Sequence, residues 1–180
     1  AAGGRLQSYT TTIPKPVIAA INGACAGIGM VQALMCDVRF AAAGAKFTTA
    51  FARRGLIAEY GMSWLLPRLV GTANALDVLL SGRVFLAEEA HQMGMVNGVV
   101  PADQLLAHAV AYASDLAANV SPTSMKVMKQ QVYADTTQAI TESEQRALVL
   151  MKESLTRADF KEGVASFMEK RPPQFAPVTR

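Results

Sequence analysis

The sequence predicts an α/β core followed by a run of helices, and three observations carry that expectation. Before Pro101, short β-branched runs alternate with glycine-rich turns and helical segments; after it, almost every stretch has helical periodicity. The order strand, helix, strand with helices on alternate sides implies a mostly parallel layer. With 51% hydrophobic and 17% charged residues, the chain is apolar enough to bury a sizeable core and too apolar for disorder.

Val17 to Ile21 reads as a buried strand, leading into the small-residue turn Asn22 to Gly29 and a helix through Met35. Asp37 to Ala42 is the next strand, Gly44 marks a turn, and Phe47 to Ala52 is short or irregular extended chain. From Tyr60 the positions Met62, Leu65, Leu66 and Leu69 follow a helical stripe, with a kink expected at Pro67 and a stop at Gly71. Thr72 is placed to cap the next helix, which ends near Ser81-Gly82. Arg83 to Phe85 is expected extended, Ala87 to Met93 helical with Gly94 ending it, and Val96 to Val100 extended again.

Beyond Pro101, apolar faces recur at Leu106, Val110, Ala113 and Leu116; at Met125, Met128 and Val132; at Ile140, Leu148, Met151 and Leu155; and at Phe160, Val164 and Phe167. With no further strands to cover, these faces must pack on one another or on a second subunit, so an oligomer is expected. The expected division is 1–100 for the core, 101–170 for the helical region and 171–180 for an extended or disordered tail rich in proline.

Seventeen basic against 14 acidic residues give a net charge of +3. That mild excess suits a phosphorylated small molecule and not nucleic acid, which calls for a basic stripe with interleaved aromatics. Cys25 and Cys36 lack metal-ligand spacing, which points to a reduced, cytoplasmic setting. The longest apolar stretches are interrupted before they reach membrane-spanning length, so no membrane partner is expected.

The chemistry-bearing segment is KPVIAAINGACAGIGM, Lys15 to Met30. A strand running into a glycine-rich turn and a helix presents N–H groups to an anion, either a phosphate or the oxygen that develops on a thioester carbonyl. The spacing of Gly23, Gly27 and Gly29 fits no dinucleotide or phosphate-loop pattern. Small residues here would equally allow close packing of strand on helix, and the residues alone leave both readings open.

KPVIAAINGACAGIGMVQALMCD (Lys15 to Asp37), Phe47 after its turn, LPRLVG (Leu66 to Gly71), LLSGR (Leu79 to Arg83), Ala90 to Pro101 and EGVASFMEKRPPQF (Glu162 to Phe175) together resemble the enoyl-CoA hydratase/isomerase, or crotonase, superfamily. The match covers nearly the whole chain in unbroken order. It implies a ββα spiral core, here without the N-terminal part of that fold, followed by a C-terminal helical region that assembles homotrimers or homohexamers. It also implies an acyl-CoA substrate, with coenzyme A entering only as part of it and no tightly bound cofactor or metal. One oxyanion donor of the family falls on the backbone N–H of Ile28, a kind of donor worth about 3 kcal/mol in the transition state. The second would lie in a segment preceding this chain. Ala24, Cys25, Ala26, Gly27, Val31, Phe51, Tyr60, Met62 and Trp64 are the implied substrate pocket.

Hydratases of the family hold water between two glutamates, and those positions fall here on Val31 and Phe51, neither of which can move a proton. Glu59, in RRGLIAEYGMSWLLP, falls where peroxisome-type 3-enoyl-CoA isomerases carry a single catalytic glutamate. Ile57, Tyr60, Met62 and Trp64 would surround that carboxylate with apolar surface, favouring its neutral form. The residues by themselves describe an ordinary first-turn acid at a helix N-terminus; the resemblance turns Glu59 into a base. Isomerisation of a 3-enoyl-CoA is the leading expectation, hydration of a 2-enoyl-CoA the second, and a non-catalytic CoA-binding or scaffold homologue the third.

Phe167 and Lys170 match residues that in the family reach the adenine and phosphate end of CoA; without the resemblance they read as a core ring and a solvated lysine. Arg53 and Arg54 are adjacent in an expected extended segment, so at most one would approach a phosphate. His91 and His108 read as surface residues. Gly61 to Leu65 lacks the closing glycine of a nucleophile elbow, which argues against serine hydrolysis. Met30, Met35 and Met62 could line a flexible acyl pocket.

Overall fold

Strand β3 (Val38–Ala42) is the centre of a parallel sheet, with β1 (Ile18–Ile21) on one side and β6 (Gly98–Val100) on the other. This is a computed structural model, and it describes residues 6–178. Phe40, Ala41 and Ala42 are all buried, as expected for a strand covered on both faces. The register of β1 on β3 starts from a reciprocal pair: Val17 N–H donates to the Asp37 carboxylate at 2.7 Å, and Asp37 N–H donates to the Val17 carbonyl at 2.8 Å.

A second three-stranded layer joins β2 (Cys25–Ala26), β4 (Lys46–Thr48) and β5 (Phe85–Leu86). Here β2 is parallel to β4 and β5 is antiparallel to it, so the arrangement is mostly parallel as expected, with β4–β5 the exception. Phe47 faces Phe85 across that antiparallel pair, with ring centroids 5.7 Å apart and nearly parallel planes. Such a ring pair compensates for the short ladder.

Between the strands run α1 (Gly27–Leu34), α2 (Met62–Ser81) and α3 (Ala87–Gln92). Helix α2 is interrupted at Gly71, whose φ of 75° and ψ of 161° no helix accommodates, while Pro67 sits inside the first half without taking non-helical angles. The break therefore comes from glycine freedom and not from the proline ring. Met30, Val31, Leu34, Phe47, Met62, Leu66, Val78 and Met95 form the centre of the core, which Leu105 and Ala109 of α4 (Leu105–Asn119) also join.

The chain divides into two compact units. The first holds the described residues up to Thr11 and Val17–Val110, and therefore both sheets; the second holds Thr12–Pro16 and the chain from Ala111 onward. In the second unit, α5 (Pro122–Asp135) is capped by Ser121, whose hydroxyl accepts the Ser124 N–H at 3.0 Å, with Pro122 at the first helical position. An Asp135–Arg146 ion pair and a Ser143–Asp135 hydrogen bond tie α5 to α6 (Ile140–Thr156), and α7 (Ala158–Glu169) follows. No apolar side chain beyond Ala109 is buried among the described residues. Most of the apolar positions read from the sequence are thus exposed in the single chain, while Leu116 and Met125 are half-buried. Arg171 to Val178 continues without helix or strand, and Thr179 and Arg180 of the expected tail lie outside the described residues.

Candidate active site

The glycine turn is built as a helix N-terminus at which Ala24, Ala26, Ile28 and Gly29 are exposed. Ala26, extended at φ −134° and ψ 149°, caps α1 but offers no side-chain hydrogen bond. No side chain at the cap therefore engages the first-turn N–H groups, among which is that of Ile28. A side chain added at Gly23, Gly27 or Gly29 would meet nothing within 4 Å. Close packing of strand on helix therefore does not explain Gly23 and Gly29, and backbone conformation, a φ of +50°, explains Gly27. Ala24, Ala26 and Ile28 are exposed and Gly27 is half-buried, whereas Cys25 points into the core.

Burial pushes the Cys25 thiol up to about 11, so it stays protonated near neutral pH and is no nucleophile. Behind the turn, the far end of α1 is held by a residue whose role the sequence did not reveal. Arg39 is buried, and its guanidinium donates to the carbonyls of Met95 at 2.7 Å, Cys36 at 2.6 Å and Leu34 at 3.5 Å. A cation there complements the negative end of the helix dipole. Its only sequence signal was an arginine amid the apolar run of β3.

The second element is the loop from Thr48 to Gly61. Thr48 and Thr49 donate to the carbonyls of Gly82 and Val78 at 3.0 and 2.9 Å, pinning the loop's start to the end of α2. Ala50 then takes a φ of 59° and Tyr60 a φ of 54°, both in the left-handed region that costs a non-glycine residue about 1–3 kcal/mol. No side-chain pattern announces such backbone positions in a sequence.

Glu59 sits in the turn at the loop's end, partly buried, with its carbonyl accepting the Met62 N–H at 3.0 Å. Gly61 is the N-cap of α2, so Glu59 lies before the helix and is not a first-turn acid. The same turn touches α1: a side chain on Gly61 would begin 3.6 Å from the Met35 methyl.

Three expectations are corrected here. Ile57, Tyr60, Met62 and Trp64 do not enclose Glu59 within this chain: Met62 is fully buried, while Ile57 is 80%, Tyr60 50% and Trp64 38% exposed. Because α2 starts at Met62, the side chains of Met62, Leu65 and Leu66 share the core face and Trp64 is rotated away, where the Arg68 guanidinium lies 4.2 Å over its ring. Ala52–Arg54 is a short 3-10 helix and not extended chain, and Arg53 is engaged structurally, donating to the Ser81 carbonyl at 2.9 Å. Phe167, read without the resemblance as a core ring, is 81% exposed.

Val31 and Phe51 are buried apolar side chains, 0% and 4% exposed. Phe167 lies on α7 of the second unit, and Lys170 caps that helix. His91 is exposed, with Nδ1 3.1 Å from the Val96 carbonyl, and His108 meets the Phe40 ring edge-on at 4.6 Å. Among the described residues no group of three or more His, Cys, Asp or Glu could hold a metal ion, and no helix is long and apolar enough to cross a membrane.

A family model described as enoyl-CoA hydratase/isomerase matches residues 2–177. The chain belongs to the enoyl-CoA hydratase/isomerase family. Among its relatives, an enoyl-CoA hydratase of Alternaria alternata is 36% identical over 178 residues, covering 97% of this chain and 59% of the relative. The 1,2-epoxyphenylacetyl-CoA isomerase of Escherichia coli (strain K12) is 39% identical over 164 residues, covering 91% of this chain and 62% of that protein. A probable enoyl-CoA hydratase/isomerase from Mycobacterium abscessus superposes with a TM-score of 0.90 at 35% identity, over 93% of this chain and 68% of that one. An enoyl-CoA hydratase from Mycobacterium marinum is 64% identical with a TM-score of 0.69, over 76% and 69%. The chain thus has the family's α/β fold and spans about three fifths of the length of the curated relatives it matches.

Proposed function

We propose that the protein acts on acyl-CoA thioesters and shifts a 3-enoyl-CoA double bond to the 2-position, with Glu59 as its single base. Glu59 takes a proton from C2; the C–H electrons move into the C1–C2 bond and the thioester oxygen becomes a dienolate oxyanion. The Ile28 N–H donates to that oxygen. The protonated Glu59 then returns the proton to C4, leaving the double bond between C2 and C3. The reading takes Glu59 and Ile28 as the reacting groups and, from the family resemblance alone, Ala24, Cys25, Ala26, Gly27, Val31, Phe51, Tyr60, Met62 and Trp64 as acyl-pocket positions; Phe167 and Lys170, which belong to the second unit, are proposed separately as CoA contacts. Coenzyme A is present only as part of the substrate. The open apolar faces of α4 to α7 support assembly into a homotrimer or homohexamer.

The observation that carries this reading is the contrast in the site's proton-moving capacity. The positions of the hydratase glutamates hold the buried Val31 and Phe51, while Glu59 is a partly exposed carboxylate in a turn that rests on α1. One group that accepts and returns a proton is enough for isomerisation, whereas water addition needs one to activate water and one to supply the α-proton. Hydration of 2-enoyl-CoA is the second reading, favoured by the hydratase names of the Alternaria alternata and Rhodobacter capsulatus relatives.

Incubation with 3-hexenoyl-CoA and, separately, 2-hexenoyl-CoA, read by mass and retention time, decides between them. Isomerisation gives 2-enoyl-CoA at unchanged mass, and Glu59→Gln lowers its rate about 10²–10⁴-fold. A gain of one water on 2-hexenoyl-CoA establishes the second reading, and unchanged turnover of 3-hexenoyl-CoA by Glu59→Gln removes the single-base mechanism.

A further inference from the structure

We infer that Glu162 and Arg171 are positioning residues that lock the chain reversal after α7 and so aim Lys170 and Phe167 at the phosphate–adenine end of a CoA thioester; the inference rests on the acyl-CoA reading above. Helix α7 ends at Lys170 in a left-handed conformation, φ 53° and ψ 42°, which lysine rarely adopts. Its N–H donates to the Phe167 carbonyl at 3.3 Å, and the Arg171 N–H to the Ser166 carbonyl at 3.1 Å. These bonds satisfy carbonyls at the helix end and fix the reversal.

The next residues are clamped by one carboxylate. Arg171 Nη1 and Nη2 donate to both oxygens of Glu162, at 2.6 and 3.0 Å, and the backbone N–H of Gln174 donates to the same carboxylate at 2.7 Å. Arg171 Nε also donates to Glu169 at 2.5 Å. Phe175 closes the strap, its ring 3.9 Å from where a side chain on Gly163 would begin. Bidentate pairing fixes orientation as well as distance. The Arg171 guanidinium and the Gln174 N–H hold Glu162 at about 2, so the clamp is ionised at any physiological pH.

Lys170 therefore emerges from a backbone held on both sides, three residues after Phe167, and both side chains are exposed. The exposed ring and the ammonium are thus both carried by backbone that is ordered before any ligand arrives. Ordering them before ligand arrives lowers the entropy lost on binding.

The test measures KM and kcat of the full chain with an acyl-CoA and with the same acyl group on pantetheine, which lacks the nucleotide. Glu162→Gln leaves an acceptor for the Gln174 N–H but removes the charge pairing with Arg171. It is expected to raise KM for the acyl-CoA roughly fivefold, the scale of one displaced charge-assisted contact. The pantetheine thioester should keep its KM, and kcat should stay within about twofold. Lys170→Ala should give the same pattern, the double variant should be no worse than either, and Arg171→Lys should recover part of what Arg171→Ala loses. Circular dichroism checks that each variant is folded, and Arg171→Lys carries the test if Glu162→Gln is not. If Lys170→Ala raises KM while folded Glu162→Gln does not, the latch is overturned and the acyl-CoA reading stands. If Lys170→Ala leaves KM unchanged, or the parent protein turns over neither thioester, the basis of the latch is gone and it falls too, the second outcome taking the acyl-CoA reading with it.

Discussion

The methyl of Met35, at the end of α1, lies 3.6 Å from the point where a side chain on Gly61 would begin, which seats the turn carrying Glu59 on the helix whose other end carries Ile28. At that distance an added methyl meets only ordinary contact. The obstacle to any other residue is the φ of +80°. Gly61→Ala is therefore expected to cost about 1 kcal/mol through backbone strain, a melting shift of about 2–4 °C for a chain of this size. It should also lower turnover by displacing Glu59. Thermal unfolding and initial rates on 3-hexenoyl-CoA check both; a full-rate variant with the lowered melting point would detach Glu59's position from the Gly61 turn.

Ile28 contributes to the proposed reaction through its backbone, so its side chain and its N–H should separate cleanly. Ile28→Ala keeps the donor and is expected to retain kcat within about threefold. Ile28→Pro removes it at a first-turn position where proline is compatible with a helix. A loss of about 10²–10³ in kcat is expected, the size of one oxyanion donor. Steady-state kinetics alongside thermal melting, to verify folding, decides the matter; equal kcat for the two variants would assign the oxyanion elsewhere.

The Glu162 carboxyl is held at about 2, below its ordinary 4.5. A folded-state value below the unfolded one means that the stabilisation is complete above about pH 4.5 and is lost as pH falls toward 2. Acidification across that window should release the strap from α7. Hydrogen exchange is the measurement: protection of the Gln174 amide, corrected for the intrinsic rate, should fall between pH 4.5 and 2 ahead of protection in β3. In Arg171→Ala that amide should already be poorly protected at pH 6. Parallel loss in the strap and in β3 would show global acid unfolding instead.

Elements with strong periodicity or a forced glycine were legible in the sequence. β1, α1, β3, the interruption at Gly71 and the end of α3 at Gly94 follow from apolar runs and from backbone angles that glycine tolerates. The antiparallel pairing of β4 with β5 was not legible, because two- and three-residue strands have no measurable period and Phe47 and Phe85 meet only in three dimensions. At the candidate site, the passage from strand through glycine turn into helix around Ile28 was readable from its small residues. The surroundings of Glu59 were not: periodicity marks Met62 and Trp64 as apolar, and only the starting residue of α2 decides which of them faces the core. The left-handed Ala50 and Tyr60 carry no side-chain signature at all.

Strand β3 pairs with β6 far along the chain, and the Arg39 N–H waits for the Asn97 side chain 58 residues later. At translation speeds of roughly 5–20 residues per second, that interval lasts about 3–12 s. During synthesis β3 can join β1 at once, but its opposite edge, next to Phe40, has no native neighbour until Gly98–Val100 is made. An unpaired apolar edge is a template for pairing with another chain. Until that strand is made, the free edge of β3 is a place where a holding chaperone has something to protect.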